Sequence, residues 1–372
     1  MLPPVAWSRS NTYEASHCNL EQSQQGLRAT MELPLPAIAI CVPVRNEEEL
    51  LPHLLRACGA LDVAGTSAAL CLYFDGCTDG SRLLAEESAE RLSLPVVCRS
   101  GDRHSEANAG RARAAAMALG LDLLDDDAGV LLSTDADSQP EPDWVQAALV
   151  ALSLADVAAG RVIRSDGAAD LSQTRVERYY DRLHAHRRAT DPVAWEMGGC
   201  HFGGGANMAI RASTYRSLGG FRPVPSGEDA LLLDDAARAG WRVRHDSAMR
   251  VHTSSRRTGR AMGGLATALN DIDANGLPLV EHPMAADWQY RMQALARRTF
   301  ATIGDRETRE RLGQVIGSNG DHVLGVARDC PNAEAFCMRV VPAAPDAGVR
   351  VQLADAEDAL TRIEAARCVL AA

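Results

Sequence analysis

The chain has too little positive charge for a nucleic-acid binder: 38 Lys and Arg against 49 Asp and Glu leave a formal net charge of −11. A phosphate backbone calls for surplus cations, so nucleic acid is excluded as the main partner. Long apolar runs are also missing. No stretch reaches the ~18 consecutive apolar residues of a membrane-spanning helix, so no integral membrane segment is expected. The first residues lack the basic, apolar and small-residue succession of a secretory signal. The ten cysteines include no C-x-x-C pair and no zinc-type spacing with histidine. Cys41, Cys58, Cys71 and Cys98, several inside apolar runs, are expected to be reduced core thiols of a cytoplasmic protein. What remains is an ordinary globular composition, 46% hydrophobic and 23% charged over 372 residues, enough for one large domain or two smaller ones.

Residues 1–36 are polar, mixed and proline-containing, and are expected to form a partly disordered extension. Ala37–Val44, AIAICVPV, has the continuous apolar character of a buried strand. Leu50, Leu51, Leu54, Leu55 and Cys58 then follow helical spacing. Ala68–Phe74 is a second strand ending in Asp75, a helix follows from Ser81, and Val96–Arg99 is a third strand. Ala107–Leu119 reads as a helix carrying Arg111 and Arg113. This rhythm predicts an α/β fold with a mostly parallel sheet flanked by helices. Ligands of such sheets bind beyond the carboxyl ends of the strands, where Pro43, Asp75 and Asp135 fall. Residues 271–372 read as a mainly helical C-terminal extension to a 37–270 domain. The extension is expected to cover an acceptor or to make a homodimer contact. Within it, Asn332–Gly348 reads as loops or a short strand pair.

Val130–Ser138, VLLSTDADS, is an apolar strand stopping in two acids. In an extended chain residues i and i+2 share a face, so Asp135 and Asp137 are expected to offer two hard oxygens to Mg²⁺ or Mn²⁺. Asp75 at its strand end can face a base, favouring the N–H of uracil or guanine over adenine, or can simply bond its own turn. Asp79, before Gly80, Ser81 and a helix, suits the turn. Glu228-Asp229 lies where Ser226 could cap a helix in a capping-box pattern, or where a carboxylate could accept a proton. Arg250–Arg260, RVHTSSRRTGR, is the most concentrated basic patch. It reads as a lid, open without ligand, whose Arg256 and Arg257 grip a diphosphate.

Pro43-Val44-Arg45-Asn46-Glu47, Asp75 to Gly80, Asp135-Ala136-Asp137, Gly203 to Arg211 (GGGANMAIR), Gly219-Gly220-Phe221 and Glu228 to Leu232 follow in an order that resembles family 2-type, GT-A-fold glycosyltransferases. The resemblance implies a Rossmann-like GT-A domain that moves a sugar from a nucleoside diphosphate sugar to a hydroxyl acceptor. It also implies a divalent metal and inversion at the anomeric carbon. UDP- or GDP-linked donors are favoured over ADP-linked ones. On matching positions it implies a uracil contact at Asp75, a base at Asp229 with Glu228 positioning the acceptor, and His252 joining Asp135 and Asp137 around the metal. Donor-binding candidates are Pro43, Arg45, Glu47, Asp75, Arg111, Arg113, Asp135, Arg256 and Arg257. One departure is Phe74, where the family often has a second acid. Two alternatives stand beside this reading. A nucleotidyltransferase would show a glycine-rich basic loop where this chain has acidic Pro43–Glu49. A non-catalytic sugar-nucleotide-binding protein would be expected to lack Asp135, Asp137 or Asp229.

Overall fold

The computed structural model describes residues 37–371 apart from 103–106, 125–126, 165–170, 197–198 and 260–262. The 1–36 extension expected from the sequence lies outside the described residues, as does Arg260 of the basic patch. In chain order the first half runs β1 (Ile38–Val44), α1 (Leu51–Gly59), β2 (Ala68–Asp75), α2 (Ser81–Ala89), β3 (Val96–Gly101), α3 (Ala109–Leu123), β4 (Val130–Ser133), β5 (Ser138–Pro140), α4 (Trp144–Leu154), β6 (Val157–Arg164) and α5 (Leu171–Thr190). The chain continues through β7 (Met208–Arg211), α6 (Ala212–Leu218), α7 (Glu228–Ala239), β8 (Val243–Thr253), α8 (Leu265–Asn275), β9 (Val280–Glu281) and α9 (Pro283–Thr299). It closes with α10 (Arg306–Val315), α11 (Gly320–Arg328), α12 (Ala333–Val340), β10 (Arg350–Val351) and α13 (Leu353–Ala371).

Eight strands form one sheet in the order β3-β2-β1-β4-β7-β6-β8-β5. β1, β2, β3 and β4 are mutually parallel, and β7 is antiparallel to both β4 and β6. β6 therefore runs with the first four, and β8 parallels it, so only β7 and β5 are reversed. The continuous apolar run of β1 follows from burial on both faces. Its Ile38, Ile40, Val42 and Val44 pack with α1 and α4, including the fully buried Trp144. Its Ala39 and Cys41 face the other way, toward Met117 and Leu119 of α3, Tyr215 of α6 and Leu232 of α7. Cys41, Cys58 and Cys71 are buried, Cys98 is half-buried, and among the described residues no two cysteines are joined.

One reading of the C-terminal region changes. Ala333–Val340 is a helix where loops or strands were expected. Asn332 caps it, its Oδ1 accepting the Ala335 N–H at 3.0 Å, and Phe336 fills a small core with Leu312, Ile316 and Val323. Leu353–Ala371 form a terminal helix, in keeping with the mainly helical extension expected.

Asn207 ties the two halves of the sheet together. Its Nδ2 donates to the carbonyls of Arg161 and Met249, both at 2.9 Å, and its Oδ1 accepts the indole N–H of Trp144 at 2.8 Å. We expect Asn207→Ala to leave these buried groups without their partner, at ~1–3 kcal/mol for each group stranded. Urea denaturation should show a loss of about 3 kcal/mol or more. A loss below about 1 kcal/mol would mean that the network contributes little to stability.

Candidate active site

The loops after β1, β2 and β4 open into one cavity of about 650 Å³, closed on its far side by α5, the Gly203–Gly205 segment, the start of α7 and the chain after β8. Its first wall is built by the β1 and β2 loops locking together. Asn46, in a left-handed conformation at φ 54°, accepts the Thr78 N–H on its Oδ1 at 2.8 Å. Glu48 accepts the Gly80 N–H, and Asp79 accepts the Glu48 and Ser81 N–H groups. Asp79 is thereby a turn residue. Asp75 is buried at the β2 end, and its Oδ2 accepts a hydrogen bond from Arg45 Nη1 at 2.8 Å.

The acids after β4 are not brought together by extended-chain alternation. The strand stops at Ser133, and Asp135–Ser138 form a turn closed by the Ser138 N–H on the Asp135 carbonyl at 3.1 Å. Ala136 is pinned in the core between the two acids. The turn delivers both carboxylates to the cavity by a route that strand periodicity does not describe.

Arg113 connects these parts. It is buried on α3 and donates through Nε to Glu228 Oε1 at 3.0 Å. Nη1 donates to Ser133 Oγ and to the Gly205 carbonyl, both at 2.9 Å, and Nη2 to Asp135 Oδ1 at 2.9 Å. Phe221, turned inward after Gly219-Gly220, lies beneath the guanidinium at 5.9 Å. Burial works against the guanidinium's charge, but Asp135 and Glu228 outweigh it and raise its pKa. Gly205 is required by proximity: a Cβ there would fall 2.4 Å from the Arg113 guanidinium carbon. Arg113 lines the cavity with its donors directed into the protein, so it positions ligand-facing groups. Arg111, one residue pair earlier on α3, does not line the cavity.

At the start of α7 the cap is Gly227 at φ 78°, with no side-chain cap bond, so the expected Ser226 capping box does not form. Asp229 instead reaches across to the glycine segment, its Oδ2 accepting the Gly205 N–H at 2.8 Å. Its Oδ1 accepts the Ala230 N–H at 2.7 Å. The carboxylate is thus held at the cavity wall from two sides. Glu228 is buried behind it on Arg113, which puts Glu228 in a supporting position.

The basic patch divides. Arg256 turns inward, forming a two-pronged ion pair with Glu47 and lying 3.2 Å from Asp137. Arg257 turns outward to Asp273 of α8 and does not line the cavity. The expectation that these arginines converge only on a diphosphate is therefore corrected for Arg256, because Glu47 and Asp137 already supply anionic partners. His252 is also outside the cavity wall. Its Nε2 pairs with Glu141 Oε1 at 3.0 Å, while its neighbour Thr253 faces inward. Among the described residues His252, Asp135 and Asp137 do not bring three donor atoms within 4.8 Å of one another. Burial, with Asp135 and Glu47 close by, pushes the Asp137 carboxyl up to about 7 against the pull of Arg256. Asp135 and Asp137 are the hard-oxygen pair available to a cation here.

Sequence reading missed the far wall. Glu177 and Tyr180 of α5, with His201 and Phe202, line the cavity. His201 Nδ1 lies 2.8 Å from Asp181 Oδ1, and its ring stacks on Phe202 at 4.3 Å. The HFGGG succession was the available signal.

A predominantly parallel sheet with an acidic turn after β4 and a helix-start aspartate facing it across one cavity is a GT-A arrangement. Residues 39–219, just under half of the chain, match the family model described as glycosyl transferase family 2, and the enzyme is a glycosyltransferase. No curated protein matches the chain. Among solved structures it is similar to Staphylococcus aureus TarS 1–349 in complex with UDP-GlcNAc, at 15% identity and TM-score 0.47 over 82% of this chain and 90% of that one. It is also similar to the mannosyltransferase PcManGT from Pyrobaculum calidifontis in complex with GDP-Man and Mn²⁺, at 18% identity and TM-score 0.45 over 90% and 80%. A third is glucosyl-3-phosphoglycerate synthase from Mycobacterium tuberculosis with Mn²⁺, UDP and phosphoglyceric acid, at 19% identity and TM-score 0.41 over 65% and 80%. No described helix is long and apolar enough to cross a membrane.

We expect Arg113→Met to strand the buried Glu228 carboxylate and cost roughly 3–5 kcal/mol. Pairing it with Glu228→Gln should recover part of that loss, because the two side chains share one interaction. Strict additivity in the double-mutant cycle would show that the pair is not coupled.

Proposed function

We propose that the enzyme transfers a sugar from a nucleoside diphosphate sugar to a hydroxyl acceptor with inversion, assisted by Mg²⁺ or Mn²⁺. The observation that carries this is the convergence of the Asp135–Asp137 turn and Asp229 on one cavity through Arg113. Asp75, oriented by Arg45 at the β2 end, would accept an N–H of uracil or guanine, which favours UDP- or GDP-linked donors. Asp135 and Asp137 would hold the metal. The fit rests on their hard oxygens and on the crowding that raises Asp137, which a divalent cation relieves. When bound, the metal offsets negative charge on the diphosphate.

In the transfer step the acceptor oxygen attacks the anomeric carbon, the bond from that carbon to the diphosphate breaks, and Asp229 takes the hydroxyl proton. The two N–H groups held by Asp229 fix its carboxylate for this task. Glu228 acts behind it, keeping Arg113 charged and in place. Tyr180, His201 and Phe202 supply flat and polar surface suited to a sugar or other acceptor. Arg256 is the nearest cation to Asp137 and the arginine favoured for the leaving diphosphate.

Two measurements test this. Thermal-shift titration with UDP- and GDP-sugars should raise Tm in the presence of Mn²⁺, and the shift should vanish in folded Asp137→Ala. Persistence of the Mn²⁺-dependent shift in that variant would remove Asp137 from the metal site. Asp229→Asn keeps shape but loses the proton acceptor, so transfer should fall by ~10²–10⁴-fold while donor binding survives. Normal turnover in Asp229→Asn would leave Asp229 as a structural contact to Gly205.

A further inference from the structure

Away from the cavity, three elements that are distant in sequence meet at a second cluster. His184 on α5, Glu196 in the segment leading to β7, and His245 on β8 each bring a donor atom to within 4.8 Å of the other two. His184 and Glu196 are buried and His245 is partly buried. His184 Nε2 lies 3.4 Å from Glu196 Oε1, and His245 Nδ1 lies 3.2 Å from Oε2. The first separation is long for an N–H···O bond, whose usual value is about 2.9–3.0 Å. Two ligand atoms each ~2.0–2.1 Å from one tetrahedral ion stand about 3.3 Å apart. The separations bracket that edge.

The ring geometry agrees. The two imidazoles meet edge to face, with centroids 4.6 Å apart and planes at 60°, and their donor atoms stay within 4.8 Å of each other and of the carboxylate. The carboxylate is also held by the His245 backbone N–H, which it shares between its two oxygens at 3.1 Å from each. Such outer support orients a ligating group. Two imidazoles and one carboxylate are a donor set for a borderline transition metal, whereas Mg²⁺ prefers all-oxygen ligands.

We propose that His184, Glu196 and His245 form a second metal site of the Zn²⁺ class, separate from the Asp135–Asp137 pair. Its role is structural. Glu196 lies a few residues before His201, Phe202 and Gly205, which line the cavity. An ion shared with α5 and β8 fastens that segment to the two elements on either side of it. The chain spacing of the three ligands is far from that of any local zinc motif, which is why the site is visible only in three dimensions.

The test is metal content and thermal stability of the full chain, stripped with chelator, reloaded with ZnCl₂ and passed through gel filtration. Wild type and Asp137→Ala should each retain about one zinc per chain and gain Tm on reloading. His245→Gln and Glu196→Gln should do neither. Zinc retained at the same stoichiometry by either folded ligand variant overturns the proposal, as does a wild type whose Tm is unmoved by zinc. If the variants do not fold, Co²⁺ titrated into wild-type apoprotein decides. Visible absorption of tetrahedral Co²⁺, abolished by added Zn²⁺, supports the site, and its absence overturns it. Because Asp137→Ala is the control, failure here is distinguishable from failure of the donor-site metal.

Discussion

A single buried cation organises the reaction end of this fold. Arg113 donates to Ser133 at the end of β4 and to Asp135 just beyond it, to the Gly205 carbonyl, and to Glu228 at the start of α7. These groups come from three separate parts of the chain: the end of β4 with the turn after it, the glycine segment, and the start of α7. The cost of burying a guanidinium is large unless the charge is paired and its donors are used. Here Asp135 and Glu228 supply the charge and Ser133 and Gly205 the remaining acceptors. The same constraint explains the sequence around it. Gly205 must lack a side chain because the guanidinium lies against it, and Phe221 offers its ring face below.

A second cation balances the opposite wall. Glu47, Asp135 and Asp137 place three carboxylates near one another, and burial makes their mutual repulsion costly. Arg256 answers two of them. It is supplied by the chain after β8, and its pairs with Glu47 and Asp137 tie that segment to the cavity wall. The neighbouring Arg257 is held by Asp273 on α8, so the pair acts as an anchor with one arm inside the cavity and one on the surface.

Much of the fold was legible because β1, β2 and β4 are buried on both faces and their apolar runs admit little else. The acidic and glycine-rich motifs were legible as chemistry because charged groups at strand ends have few structural reasons to exist. What the sequence did not disclose is direction. Strand alternation was the wrong geometry for Asp135 and Asp137, since the chain turns there. Arg256 and Arg257 are adjacent yet face opposite ways, and His252 falls on the strand face away from the cavity wall. α5 escaped notice because its twenty residues carry five arginines and two histidines, which blur any apolar stripe. Those polar groups are satisfied by partners far along the chain, such as Glu357 for Arg175 and Asp287 for His186.

These distant partners also fix the meaning of the C-terminal helices. Among the described residues none that lines the cavity comes from beyond Ala268, so the described parts of α9 to α13 do not cover it. They brace instead two of the helices that face it, α5 and α7. Arg297 of α9 pairs with Asp191 at the end of α5 and with Glu334 of α12. α12 in turn meets the far end of α7, where Arg238 donates to the Met338 carbonyl at 3.1 Å and Asn332 donates to the Gly240 carbonyl at 2.9 Å. Held at these ends, α5 and α7 keep Tyr180 and Asp229 at fixed positions across the cavity. Of the two roles the sequence left open for the extension, a cover over the acceptor or a homodimer contact, the first gives way to a brace behind the site.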